Sequence, residues 1–368
     1  MNGYFYVLTA ISLFVLCFMC ILTKLSESLN KRQKRGFFLA FALIAGISVL
    51  EVVTLAVDGV SSRYRWLNIL ANYLGFGLSP AISICLVYAL NKKRTVKCEI
   101  KIAACCEVGY LIFLALSIPY GLVFSVSADN VYLRGEYFYV FIIMYFAAVL
   151  YISVSTIITA REFQNRSKAL VYPLMIFLIA ETIIQITLPD LHVSWLCITL
   201  LSILYFIYCN EMWSQLDALT GLLNQNSYLN RSEEMKHSNG VLIVFDVDDF
   251  KQINDNYGRL KGDICLAEIA DCIKKAYARY GYCYRVGGDE FCVIMKNDER
   301  TKECSQEFVR LIDEKRRTFT LLPTVSFGLS TFSNEEPGEI KERADRDMYR
   351  YKSERKKCVV VENEGAER

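Results

Sequence analysis

A helix needs roughly 20 mostly apolar residues to cross about 30 Å of hydrocarbon, and stretches of that kind recur seven times before residue 210. They run over about Tyr4–Leu25, Phe37–Val57, Trp66–Leu90, Ile100–Phe124, Tyr137–Ala160, Leu170–Leu188 and Leu191–Cys209. In lipid every backbone polar group must bond within its own segment, so each stretch is expected as a membrane-spanning helix. The 368 residues are 54% hydrophobic yet 22% charged, so the two kinds of residue must be segregated along the chain. The first stretch lacks the basic start and small-residue cleavage site of a removable signal peptide.

Basic residues orient the bundle. Lys31, Arg32, Lys34 and Arg35 follow the first span, Lys92, Lys93, Arg94 and Lys97 the third, and Arg161, Arg166 and Lys168 the fifth. The opposite loops carry only Arg63, Arg65 and Arg134. That imbalance predicts the N-terminus outside and everything after Cys209 in the cytosol. Glu51, Asn72, Glu181 and Gln185 fall in the outer half of the bilayer, where they either converge on a pocket or face the bundle interior separately.

Composition narrows the chemistry. The chain has only two histidines, His192 and His237, which disfavours histidine-based zinc sites and Ser-His-Asp triads. Its fourteen cysteines lack paired CxxC modules at zinc-binding spacing and read as free thiols in a reducing compartment. A net charge of +2 argues against a nucleic-acid partner.

After Cys209 the chain runs through Asn210–Leu216 without a Gly/Ser/Pro-rich linker, which predicts a short helical connector between a 1–209 membrane region and a 217–368 cytosolic domain. In that domain a helix is expected to about Lys236, then a buried strand Val241–Phe245 and a helix over about Leu260–Tyr280. Strands Tyr282–Val286 and Phe291–Met295 flank Gly287-Gly288 as a hairpin. A helix Glu303–Arg317, a strand Thr324–Phe327, a helix Glu339–Ser353 and a last strand Cys358–Val361 complete a βαββαβ order, a sheet with helices on one face.

The acids carry the chemistry. Asp246 ends a buried strand, and Asp289 and Glu290 follow a hairpin turn whose strand should pair beside it. Carboxylates from two strands plus a backbone carbonyl suit a hard divalent cation that keeps substrate phosphates in its shell. Gly287 and Gly288 admit a ligand close to the backbone and allow positive φ. Phe250 and Lys251 follow the strand, where loop N–H groups and a cation can hold phosphates, while Asn254 and Asp263 offer edges for a purine base. Taken singly, a Gly-Gly-Asp turn or an acidic strand end is ordinary; together, in this order and spacing, they are specific.

From Asp217 onward the chain resembles the GGDEF family of diguanylate cyclases. The likeness rests on Asp217-Ala218-Leu219-Thr220-Gly221-Leu222-Leu223-Asn224, on Phe245-Asp246-Val247-Asp248-Asp249-Phe250, and on Lys251-Gln252-Ile253-Asn254-Asp255-Asn256-Tyr257-Gly258. It extends through Gly262-Asp263, Gly287-Gly288-Asp289-Glu290-Phe291 and Thr324-Val325-Ser326-Phe327-Gly328. The resemblance implies an α+β, nucleotide-cyclase palm-like domain with a central, mostly antiparallel sheet behind a seven-helix transmembrane bundle. It implies that two GTP condense to cyclic di-GMP and two pyrophosphates in a homodimer at a bacterial cytoplasmic membrane, with Mg²⁺ or Mn²⁺ as cofactor. Asp246, Val247 (through its carbonyl), Asp289 and Glu290 would then hold metal, with Asp289 and Glu290 catalytic. Asn254 and Asp263 would bind guanine. Lys251, Lys352 and Lys356 would hold the triphosphate, with main-chain help near Asp249 and Phe250, beside Gly287 and Gly288.

Departures from the family pattern matter too. The tail Tyr349–Lys357 keeps Lys352 but has Lys356 for the usual arginine and Arg355 for the usual glycine. A point-charge lysine still neutralises phosphate, without arginine's bidentate fork. The family's inhibitory product motif, RxxD, would fall at Ala278–Gly281, where neither the Arg nor the Asp stands, so no product-feedback site is expected. The competing reading is a degenerate domain that binds GTP without turnover and signals by contact. The sensed ligand stays unnamed.

Overall fold

The computed structural model describes residues 3–91, 98–164, 193–296 and 299–366, with scattered positions between 172 and 187, and side chains as far as Glu354. The chain divides into two compact units, Met1–Ser214 and Gln215–Arg368.

The first unit is helical: α1 (Gly3–Leu25), α2 (Lys31–Val57), α3 (Arg65–Leu78), α4 (Ala81–Leu90), α5 (Cys98–Ser117), α6 (Tyr139–Glu162) and α7 (Ser194–Ser214). Among the described residues six segments are long and apolar enough to cross a membrane, Ser62–Leu90 counting as one. Much of the expected span Leu170–Leu188, Glu181 and Gln185 included, lies outside the described residues. Asn72 donates to the Asn68 side chain at 2.8 Å, one helical turn back.

Two expectations are corrected here. The run Trp66–Leu90 is not one continuous helix, because α3 stops at Leu78 and α4 starts at Ala81. Pro80 has no N–H to give, and its ring collides with the carbonyl four residues back. The span expected over Ile100–Phe124 ends instead at Ser117, and Phe124–Val126 forms β1, paired antiparallel with β2, Tyr132–Arg134. Val123 and Phe124 are buried in a cluster with Tyr110 and Leu114, against which Phe76, Tyr132, Phe138 and Phe141 pack. Those apolar residues thus find aromatic partners rather than lipid.

Polar side chains hold this hairpin to the helix ends. Asn68 and Asn130 are both 0% exposed. The Asn68 amide donates to Asp58 Oδ1 at 3.0 Å and to Asn130 Oδ1 at 3.2 Å, and the Tyr132 N–H donates to the same Asp58 oxygen at 2.8 Å. Asn130 adopts φ 61°, which an Asn tolerates better than most residues. At the other end, Ser26 and Ser28, between α1 and α2, each donate to Asn210 Oδ1 on α7 at 2.6 Å.

The second unit contains α8 (Gln225–Ser232), β3 (Asn239–Val247), α9 (Phe250–Tyr257), α10 (Arg259–Tyr277), β4 (Gly281–Arg285), β5 (Glu290–Met295), α11 (Thr301–Thr318), β6 (Val325–Ser333) and α12 (Pro337–Ala366). The sheet order is β4-β5-β3-β6, every pairing antiparallel. Alternate residues of a strand face opposite sides. Val241, Ile243, Phe245 and Val247 of β3 enter a core with Leu266, Ile269 and Ile273 of α10 and Phe308 of α11.

The intervening residues face α12, which corrects the expectation of helices on one face only. Gly328 of β6 lies opposite Val244, and a Cβ there would sit 2.1 Å from Met348 N and 2.3 Å from Ala344 O of α12. Only a glycine lets helix and strand approach so closely. The last strand expected at Cys358–Val361 is absent as well, since α12 runs on to Ala366. Extending a formed helix adds one hydrogen bond per residue, and valine's penalty of roughly half a kcal/mol does not stop it.

Candidate active site

β3 and β5 bring the expected acids to one end of the sheet. Asp246 lies directly opposite Glu290 in register, so both carboxylates start from the same face, the one covered by α12. The Val247 N–H donates to the Asp289 carbonyl at 3.3 Å, tying the turn to the strand end. Asp246 and Asp289 are half-buried and Glu290 is exposed. Among the described residues no three His, Cys, Asp or Glu side chains gather into a closed metal cage. The arrangement is an open acidic edge instead. It fits Mg²⁺, which typically takes one or two protein carboxylates and completes its octahedron with water and substrate phosphates.

Gly287 and Gly288 make the turn between β4 and β5. Neither has positive φ, contrary to the conformational role expected of them. A Cβ on Gly287 would press at 3.3 Å on Glu290 Cβ, and one on Gly288 would meet open space. Their use is therefore room beside Glu290.

Asp249, Phe250 and Lys251 do not form a loop as expected. Asp249 has φ 53° and caps α9, whose first turn contains Phe250 and Lys251. The left-handed residue turns the chain from β3 straight into that helix, whose first N–H groups lack partners further back in the same helix. Gly258, at φ 81°, then separates α9 from α10. The two helices bring Asn254 beside Gly262, where a Cβ would lie 2.1 Å from Asn254 Oδ1, so only glycine leaves that amide its place. Asp263 follows, exposed to solvent.

Lys352 reaches the same edge from α12. Its ammonium pairs with Asp246 Oδ2 and lies 3.4 Å from Asp248 Oδ1. Partial burial works to lower its pKa, but the bond and charge of Asp246, with Asp248 behind, outweigh that and hold it above the usual lysine value. The side chain of Lys356 lies outside the described residues.

Two functional neighbours escaped the sequence reading. Asp248 is buried, and the Thr324 and Ser326 hydroxyls satisfy it. Arg285 donates to the Gly288 carbonyl at 2.7 Å and to Asp217 Oδ1 at 3.1 Å. Asp217 also accepts from the Thr220 N–H at 2.8 Å and the Thr220 hydroxyl at 2.7 Å. Burial works to raise the Asp217 pKa, and these bonds with Arg285 overcome it, leaving the carboxyl below its ordinary value. The Asp217–Asn224 motif thus holds the glycine turn, with Leu223 bridged to Tyr284 on the edge strand β4.

Comparison with known proteins defines the class of this unit. Residues 214–358 match the family model described as "Diguanylate cyclase, GGDEF domain", and the antiparallel C-terminal unit has the GGDEF fold. Among curated proteins, the diguanylate cyclase DgcZ of Escherichia coli (strain K12) is 33% identical over 171 residues, 44% of this chain and 58% of that one. The diguanylate cyclase DgcS of Shewanella oneidensis is 30% identical over 159 residues, 41% of this chain and 54% of its own. Diguanylate cyclase A of Treponema denticola is 34% identical over 152 residues, 38% of this chain and 40% of its own. The chain therefore spans between two-fifths and three-fifths of these relatives' lengths.

Proposed function

We propose that this chain is a membrane-embedded diguanylate cyclase that condenses two GTP into cyclic di-GMP and two pyrophosphates. The observation that carries the reading is the register of Asp246 opposite Glu290 beside the open Gly287-Gly288 turn, within the segment that matches the GGDEF model. In each half-reaction a ribose 3′-hydroxyl of one GTP attacks the α-phosphate of the other, and pyrophosphate leaves. Two copies of the domain must face each other, each holding one GTP.

The roles follow from the chemistry of the side chains. Asp246, the Val247 carbonyl, Asp289 and Glu290 would hold the divalent cation, which supplies charge neutralisation on the phosphates and a more acidic hydroxyl. Lys251, Lys352 and Lys356 would stabilise the triphosphate, and the start of α9 would accept phosphate on its N–H groups. Asn254 and Asp263 would hold guanine, with Gly262 fixing the Asn254 amide. Catalysis would come from positioning and preorganised charge. The apolar helices would embed the first unit in the bacterial cytoplasmic membrane, N-terminus outside, with 210–216 as the connector.

The test is direct. The purified full chain in detergent, given GTP and Mg²⁺, is expected to yield a product with the mass of cyclic di-GMP. Glu290→Gln is expected to reduce that yield by about 10²-fold or more, the scale of losing one preorganised electrostatic group. GTP that binds and stays intact would favour the contact-signalling reading instead. Because Ala278–Gly281 lacks RxxD, added cyclic di-GMP is expected to leave the initial rate unchanged; potent non-competitive inhibition would contradict that.

A further inference from the structure

We propose that Asp248 is a positioning residue that acts through Lys352, an inference that rests on the cyclase reading above. It lies two residues beyond Asp246, in the turn that follows β3, and it is only 8% exposed. Its backbone N–H donates to the Thr324 carbonyl at 2.9 Å. Its carboxylate accepts from the Thr324 hydroxyl at 2.7 Å on Oδ2 and from the Ser326 hydroxyl at 2.8 Å on Oδ1. The Lys352 ammonium sits 3.4 Å from that same Oδ1.

This environment separates Asp248 from the other acids of the edge. A buried carboxylate is costly unless donors and a counter-charge satisfy it. Here one hydroxyl engages each oxygen and Lys352 provides the cation. Asp246 is more open, and its contact with Lys352 competes with any metal for the same oxygen. Asp248 therefore fixes a negative charge behind Lys352. That charge draws the ammonium toward the start of β6, and so limits how tightly it closes on Asp246. With Asp248 in place, Lys352 is shared between two carboxylates and remains available to a triphosphate. Without it, Lys352 collapses onto Asp246, so the phosphates lose a cation and the metal loses a ligand.

Asp248→Asn keeps the shape and removes the charge. In the full chain, titration with Mg²⁺ and the α,β-methylene analogue of GTP is expected to give a Kd raised about tenfold. Lys352→Met alone should raise it by a similar factor, and Asp248→Asn in the Lys352→Met background should add little. Fully multiplicative effects of the two changes would overturn the inference, because a merely structural residue acts independently of Lys352. An Asp248→Asn chain that binds the analogue as tightly as the unaltered one would overturn it too. If Asp248→Asn does not fold, Thr324→Val serves instead, since it frees one carboxylate oxygen and leaves the charge. A smaller rise in Kd that disappears in the Lys352→Met background supports the inference, and a rise that persists there overturns it. An unaltered chain that fails to bind the analogue would instead defeat the cyclase reading itself.

Discussion

The two units both bury polar side chains, for different ends. Asn68 and Asn130 are buried, and their amides bond to each other and to the exposed Asp58 carboxylate, closing off the hairpin of the membrane unit. Around Asp248, hydroxyls satisfy a carboxylate whose charge still reaches Lys352 at an open edge. A closed polar cluster fixes shape, since each member would be left unsatisfied by any other arrangement. A cluster with one charge directed outward fixes where a ligand's charge can go. The comparison teaches that buried polarity bears on ligand binding where, as at Asp248, it holds a charge against a cation at an open edge.

The sharpest way to break this contrast is at Gly328. A valine there must push α12 outward, because its Cβ would meet Met348 N and Ala344 O, and Lys352 rides on the same helix one turn on. Product formation is expected to fall by more than about 10²-fold, the scale of a 1 Å misplacement. Mass detection of cyclic di-GMP would measure it, and a near-normal rate would show that Lys352 needs no fixed height above Asp246. Next, Gly262→Ala displaces the Asn254 amide. The KM for GTP is expected to rise about tenfold, the equivalent of one good hydrogen bond, while ITP, which lacks the exocyclic amine, should be affected less.

The membrane unit gives a different kind of effect. Asn68→Leu leaves the buried Asn130 oxygen without its donor and should cost about 1–3 kcal/mol of that unit's stability. A lower melting temperature in detergent micelles would report it, and an unchanged one would mean the cluster is dispensable. The smallest effect concerns acid. Because the Asp217 pKa is lowered on folding, its contribution is fully present above the unfolded value near 4 and is lost as pH falls through the lower folded value. Asp217→Asn should therefore flatten the acid limb of an unfolding curve and leave stability above pH 6 lower by a constant amount.

Legibility followed the same division. Strand alternation and the glycine turn place Asp246 and Glu290 together from sequence alone, because period two and a hairpin are local signals. Lys352 was visible from the resemblance. Asp248 sits in the turn two residues beyond Asp246, but its meaning depended on Thr324, just before β6, and Ser326 of β6, partners 76 and 78 residues away in the chain that no local pattern reveals. In the apolar half almost every residue suits lipid, so the interruption at Pro80 and the β1–β2 hairpin were hidden inside hydrophobic runs. The valines near residue 360 misled in the opposite sense, since a helix already under way carries such residues along.

The Ser26 and Ser28 hydroxyls converge on one oxygen of Asn210, four residues before α7 ends. Each residue of a helix is about 100° further round its axis, so even a fraction of that rotation carries the amide off both donors. The helix therefore has a preferred azimuth held like a detent, at a depth of about 2 kcal/mol for two such bonds. Any turning of α7 within this unit would have to break both bonds together before it could proceed.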